Sequence, residues 1–305
     1  MLLGYSTNAF FKYPLFDAIA AIAGLGFKGI EIVCKPPHFP PLDFAACDFG
    51  ALKVRIEESG LRVTNLNSLT VFIDGDHHLP AWIRSSAQRH QIRIHHTLKA
   101  LRLASFLGCR NVSLPTGASP GRLTSAETAA HFRRGLVPVL PLAEELGVKL
   151  LIEPEPAMLS DNGRALKTFI KELGTGAVGV NFDVGHFFCA GEDPQRAFEE
   201  LFEWVGHVHL EDIASDRTHK HLIPGLGAID FLGLFRTMIR LGYAQDICLE
   251  LYTYKDAPRE AGARSLRHLL PLLDQAGLDL GIERTPAAPQ ESEDGLGAAL
   301  GGTLI

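Results

Sequence analysis

Four apolar runs in the second half of the chain each end in one ionisable side chain, and this recurrence restricts the fold more than any other feature. They are LLIEPE with Glu153, VNFDVGH with Asp183, HVHLED with His209 and ICLELY with Glu250. A charged group at the end of a strand-like run is costly to bury unless something compensates it. Its return after each helix-length interval points to four neighbouring strands of one barrel, aiming these groups at a common centre.

The rest of the chain agrees. Glycines, prolines and capping residues divide residues 1 to about 275 into eight strand-helix units, the size of a (β/α)8 barrel. Strands are expected at 2–7, 29–33, 62–68, 111–115, 149–153, 178–183, 206–210 and 246–251. Asp43 is expected to cap the second helix and Thr124 a later one, which Pro138 and Pro141 divide. Another helix opens near Pro194, and Asp230 caps the one from 231 to 241. A doubly wound open sheet is the alternative, but no early Gly-x-Gly-x-x-Gly turn supports it. The expected fold class is therefore α/β, a single-domain TIM barrel over residues 1–280. Residues 281–305, rich in Pro, Ala, Gly and acidic side chains, are expected to be a disordered tail.

With 35 acidic against 29 basic residues and a net charge of −6, the chain has no cationic field to hold nucleic acid. No run approaches the ~20 apolar residues of a membrane span, and the N-terminus has no signal-peptide pattern, so a cytoplasmic location is expected. Five scattered cysteines read as reduced, buried thiols.

Carboxylates converging at strand ends repel one another unless a cation compensates them. Three carboxylates and one imidazole make a hard, oxygen-rich set suited to one divalent metal ion, with Mn²⁺ or Mg²⁺ favoured and Co²⁺ or Zn²⁺ compatible. The competing reading, strand-end acids paired with surface Lys or Arg, weakens when four occur on consecutive strands. His186 follows Asp183 on the turn beside the metal. Arg217, His219 and His221 are either contacts for substrate oxygens or solvated loop charges. His207 reads as a hydrogen-bonded core histidine, and His90, His95 and His96 as a solvated helix face opposite the stripe Ile94, Leu98, Leu101 and Ser105. PGLGAID supplies tight turns, with a phosphate cradle as the less specific reading. The long loop TVFIDGDHHLPAW is expected to be a lid, with Phe72 and Trp82 covering the substrate.

IEPEP, FDVGH, HVHLED followed by PGLGAID, and LELY stand in this order on strands five to eight. In this the chain resembles the xylose isomerase-like TIM-barrel superfamily, which includes ketose 3-epimerases, inosose dehydratases and metal-dependent AP endonucleases. The resemblance spans residues 1 to about 275. It implies that Glu153, Asp183, His209 and Glu250 are metal ligands and that Glu153 and Glu250 are the catalytic base and acid. It also implies substrate contacts from His186 and Arg217; Asn67, Trp82 and Glu155 join them as substrate-binding candidates, Glu155 being equally a brace. Where the endonucleases need further metal-binding residues, this chain has Asn67, Pro115-Thr116 and Arg217-Thr218-His219. That departure argues for one metal and against phosphodiester cleavage. The expected function is a metal-dependent isomerase or epimerase acting on a small ketose or polyol-derived ketone. The rivals are a lyase on the same site (inosose or dehydroshikimate dehydratase, or a C-glycoside-cleaving enzyme) and a non-catalytic sugar-binding barrel. A homodimer or homotetramer is the assembly kept in view.

Overall fold

The computed structural model describes residues 1–39, 48–68, 87–116, 124–156 and 163–282. Within them lie β1 (Leu3–Ser6), β2 (Gly29–Val33), β3 (Arg62–Asn67), β4 (Asn111–Pro115), β5 (Lys149–Glu153), β6 (Val178–Asp183), β7 (Val205–Leu210) and β8 (Ile247–Leu249). Neighbours pair in parallel, and β8 returns to β1 to close the barrel in sequence order. All but the first residues of β3 and β5 are buried, as befits strands covered on both faces. The expected TIM barrel is the fold observed.

Helices α1 (Leu15–Gly24), α2 (Phe49–Glu58), α3 (Ala87–Phe106), α4 (Ser125–Leu136), α5 (Leu140–Leu146), α6 (Gly163–Leu173), α7 (Val184–Cys189), α8 (Pro194–Leu201), α9 (Phe231–Leu241) and α10 (Pro258–Ala276) connect the strands. Local chemistry explains their ends. Thr124 and Glu127 form a reciprocal capping box on α4, which satisfies two otherwise unpaired N–H groups. Pro138 falls in the break between α4 and α5, and Pro141 in the first turn of α5. Asp193 and Asp230 cap α8 and α9. For α2 the cap is Asp48, accepting from Ala51 N at 2.9 Å; the expected Asp43 lies outside the described residues.

Two expectations need correcting here. In α3 the residues with no exposure are Arg93, His96, Thr97, Ala100, Leu101 and Ala104; of the expected stripe Ile94 and Leu101 are buried, Leu98 is half-buried and Ser105 is exposed. His96 is completely buried on this face, so it is not solvated, whereas His95 is exposed. In β8 regular pairing stops at Leu249 and begins only at Ile247. Asp246 instead accepts from Leu2 N at 2.8 Å and Arg62 Nη2 at 2.7 Å, tying the strand's start to the barrel floor.

The ladders slip at two places, between Ile30 and Glu31 on β2 and between Val180 and Asn181 on β6. Such irregularities re-aim side chains near sites. The first pairs Glu31 with Asn65, and the second pairs Asn181 with His207. Gly206, bypassed by the second, has no room for a side chain: a Cβ there would stand 2.7 Å from Leu151 Cδ2. Cys34, Cys109 and Cys248 are buried free thiols and Cys189 a half-buried one. No helix among the described residues is long and apolar enough to cross a membrane. The segment from residue 283, which makes up most of the expected tail, lies outside the described residues.

Candidate metal centre

The ends of β5 to β8 bring four side chains together. One ligand atom each from Glu153, Asp183, His209 and Glu250 lies within 4.8 Å of the others, and all four side chains are buried. His209 Nδ1 is 2.9 Å from Glu153 Oε1, 3.6 Å from Glu250 Oε2 and 3.7 Å from Asp183 Oδ2. Glu250 stands one residue beyond β8, yet its N–H still donates to Leu210 O at 3.0 Å, which holds it beside the end of β7.

The other face of the His209 ring nitrogen pair meets a residue the sequence reading passed over. Nε2 is 2.6 Å from Glu31 Oε2, on β2. Glu31 is itself held by Ser6 Oγ at 2.7 Å and Asn65 Nδ2 at 2.7 Å. Burial works against the charge of His209, but Glu31, Glu250 and Glu153 outweigh it and hold the ring well above the usual imidazole range. Conversely, burial opposes ionisation of Glu31, and His209 overcomes it, drawing Glu31 down to about 2. A carboxylate on Nε2–H, the usual outer partner of a metal-bound imidazole, leaves Nδ1, 3.2 Å from Asn181 Nδ2, as the nitrogen that could hold an ion.

Asp183 divides its two oxygens. Oδ1 accepts from His186 N at 2.7 Å and caps α7, while Oδ2 is buried with no hydrogen-bond partner among the described residues. An unpaired carboxylate oxygen beside Nδ1 and two further carboxylates is a donor set that fits a divalent cation. Without such a cation, burial and the neighbouring acids push Glu250 well above the ordinary carboxyl range and Glu153 upward too.

The remaining expected residues are placed as follows. His186, buried, donates from Nδ1–H to Pro154 O, 2.9 Å away. Burial takes its pKa down to about 3. Its ring packs edge-on against His219, with centroids 4.7 Å apart. Glu155 is half-buried beyond Glu153, and burial followed by Glu153 and Asp183 pushes it up to about 8. Asn67 is buried at the end of β3 with Oδ1 unpaired among the described residues. Trp82 and Phe72 lie outside the described residues. Arg217 is not brought to the four ligands: exposed and at φ 61°, it donates from Nη1 to Phe188 O at 3.0 Å and lies 4.7 Å over the Phe188 ring.

His207 is the core histidine expected, fully buried with Nδ1 2.9 Å from Asn181 Oδ1, and burial lowers it to about 3. His221 is fully buried too, its Nδ1 2.8 Å from the Glu250 carbonyl, so it is no solvated loop charge. The phosphate-cradle reading of PGLGAID fails on one residue. Asp212 accepts from Gly225 N and Gly227 N, each at 2.8 Å, and from Ile229 N at 3.1 Å, so the amides of that turn already hold a carboxylate. A Cβ on Gly227 would overlap the same carboxylate, which explains the glycine.

Sequence reasoning missed Glu31, Glu211 and Asp212. The signal for Glu31 was present, a lone acid inside the apolar GIEIV. For Glu211 and Asp212 it was ambiguous, since adjacent residues point to opposite sides of a strand.

Comparison with known proteins now decides the family. The model of the xylose isomerase-like TIM barrel matches residues 19–269. The chain belongs to the xylose isomerase-like TIM-barrel family. Within this family, L-ribulose 3-epimerase of Mesorhizobium japonicum is 27% identical over 223 residues, covering 71% of this chain and 70% of that protein. Inosose dehydratase of Geobacillus kaustophilus is 25% identical over 174 residues, 49% of this chain and 56% of that protein. The crystal structure of the IOLI protein with a bound zinc atom superposes with a TM-score of 0.76 at 16% identity, covering 90% of this chain and 99% of that one. The two chains share their fold.

Proposed function

We propose that the protein is a divalent-metal-dependent epimerase of a small ketose or polyol-derived ketone. The observation that carries this reading is the placement of Glu153 and Glu250, from β5 and β8, within 3.6 Å of the same His209 nitrogen. Glu153, Asp183, His209 and Glu250 would hold the ion, Mn²⁺ or Mg²⁺ by the hardness of three carboxylates, with Co²⁺ or Zn²⁺ also fitting an imidazole-containing set. Such an ion supplies a Lewis acid that polarises a carbonyl and stabilises the charge left when the adjacent carbon loses its proton.

The chain's own residues supply the rest. Glu153 and Glu250 take the proton from one face of that carbon and return one on the other, which inverts the centre. His186, kept neutral by burial, offers its second ring nitrogen to a hydroxyl. Asn67 Oδ1 accepts from another. Arg217 is the outermost candidate contact.

Glu155 favours a second reading. A carboxyl pushed up to about 8 carries its proton at neutral pH, and such an acid can assist departure of a β-hydroxyl, as a dehydratase requires. The inosose dehydratase relative supports keeping it.

One experiment separates these. The protein is incubated in deuterated water with Mn²⁺ and a panel of ketoses and cyclic polyol ketones, and NMR follows the carbon beside the carbonyl. An epimerase gives epimerised product carrying deuterium there. A dehydratase gives a conjugated product with new ultraviolet absorption. Neither exchange nor product across the panel overturns both, and epimerised product without deuterium overturns the proton-transfer mechanism.

A further inference from the structure

Three loops at the carboxyl end of the barrel carry positive charge to one aromatic ring. The loops follow β8, β1 and β2, which are neighbours in the sheet. Phe11 stands at the end of the 3-10 turn Thr7–Phe10, after β1. Lys35, after β2, sets its Nζ 4.2 Å from the centre of the Phe11 ring, and Lys255, after β8, sets its own 5.7 Å from that centre. All three residues are half-buried, and Lys35 lies within electrostatic reach of Glu250. The lysines therefore border the mouth that leads to the metal centre.

The three loops are strapped to one another. His38 donates from Nε2–H to Phe10 O and Tyr13 O, each at 3.2 Å, and its ring packs 5.2 Å from that of Phe11. The Lys35 carbonyl accepts from His38 N at 3.1 Å and Phe39 N at 2.9 Å, so the turn bearing Lys35 is fixed to the turn bearing Phe11. An ion pair between Lys12 and Asp256 ties the loop after β1 to the loop after β8. That pair also takes up the acid next to Lys255.

Two ammonium groups drawn to one ring repel. The negative face of the phenyl offsets part of this, but partial burial adds to it. Burial first, and then Lys255, push Lys35 down to about 8, with Glu250 pulling the other way. A ligand anion held between the lysines relieves both penalties. In a chain with a net charge of −6, a gathering of positive charge at the mouth is no by-product of composition.

We propose that Lys35 and Lys255, flanking Phe11, form an anion subsite that holds a negatively charged terminal group of the substrate, a phosphate monoester or a carboxylate. The inference rests on the epimerase reading, because it narrows the class of ketone that enters that site. Lysine holds such oxyanions as a point charge, and two lysines suit a group of one or two negative charges. The PGLGAID turn is the other place an anion could go, but its amides already hold Asp212.

The test compares ligands that share a carbon chain and differ only at its end. Fructose, fructose 6-phosphate and fructuronate, with inorganic phosphate alongside, are titrated by calorimetry into the full chain in the presence of Mg²⁺. Tighter binding of fructose 6-phosphate than of fructose, with binding of inorganic phosphate, assigns the subsite to phosphate; tighter binding of fructuronate assigns it to a carboxylate. Lys35→Met and, separately, Lys255→Met keep the apolar stem, and each should cut the preference for the charged ligand over fructose on the order of 10–100-fold. Lys35→Arg should restore most of it, and far-ultraviolet dichroism checks that each variant is folded. No preference for either charged ligand in the wild type overturns the subsite, and so does a preference that survives both methionine variants. Deuterium exchange beside the carbonyl, followed across the ketose panel, keeps the two readings apart. Exchange without a charge preference removes the subsite and leaves the epimerase standing, whereas a lysine-dependent preference without exchange supports the subsite and counts against the epimerase.

Discussion

Glu31 Oε2 stands 2.6 Å from His209 Nε2, joining β2 to β7 inside the barrel. The contact sets which ring nitrogen keeps its proton, and so which one is offered to an ion. Glu31→Gln keeps an acceptor but removes the charge that raises the basicity of Nδ1. Mn²⁺ affinity should fall on the order of 10–100-fold, the range for outer partners of metal ligands. Calorimetric titration checks this, and unchanged affinity would show that Glu31 is only a packing residue.

Glu153→Gln and Glu250→Gln address the chemistry. Each retains shape and hydrogen bonding but cannot take up a proton, so turnover should drop at least ~10²–10⁴-fold. The melting transition should remain cooperative. Turnover close to that of the wild type in either variant removes that residue from the acid-base pair.

Asp212→Ala addresses the loop after β7. It takes away the acceptor for four backbone N–H groups, those of Ile213, Gly225, Gly227 and Ile229, so a loss of about 2–3 kcal/mol in unfolding free energy is expected. Denaturant unfolding measures it. Because His221 rides on the same loop, and its carbonyl accepts from Thr253 Oγ1 at 2.5 Å, KM should rise as well.

The pH dependence has a definite sign. Glu155 is pushed up to about 8, and Glu250, Glu211 and His209 are also held well above their ordinary values. Above pH 6.5 the folded, metal-free chain therefore keeps protons that the unfolded chain has released, and its stability falls as pH rises from 6.5 toward 8. His186, His207 and His221, held low by burial, act in the opposite sense but below 6.5, where the unfolded chain takes up protons that the folded one refuses. Saturating Mn²⁺ takes the place of those protons and should flatten the fall. Tm measured at both ends of the window, with chelator and with Mn²⁺, tests this; a chelated Tm that holds steady or rises refutes it.

The strands and the four candidate ligands were legible because the sequence marks them redundantly. Glu153, Asp183, His209 and Glu250 each close an apolar run, and a charge in that position has few bland explanations. Glu31 escaped because it sits mid-strand, where one acid among apolar residues carries no hint of its partner on β7. Glu211 and Asp212 are adjacent, and only the pleat decides that one joins the cluster while the other anchors a turn. His96 was misread because the buried face of α3 is wider than the expected stripe and includes it. Arg217 was placed by analogy to a loop whose conformation, with φ 61° at that residue, no local pattern specifies.

All four candidate ligands stand at the ends of β5 to β8, yet the partner that orients His209 lies on β2, 178 positions away along the chain. A folding intermediate with only the C-terminal strands assembled would own every ligand and still present His209 in no preferred tautomer. Contacts of such long sequence separation form late, after most loop entropy has been lost. The proposed centre would then be complete only once the ring of strands closes, and tight uptake of an ion during refolding would time that closure.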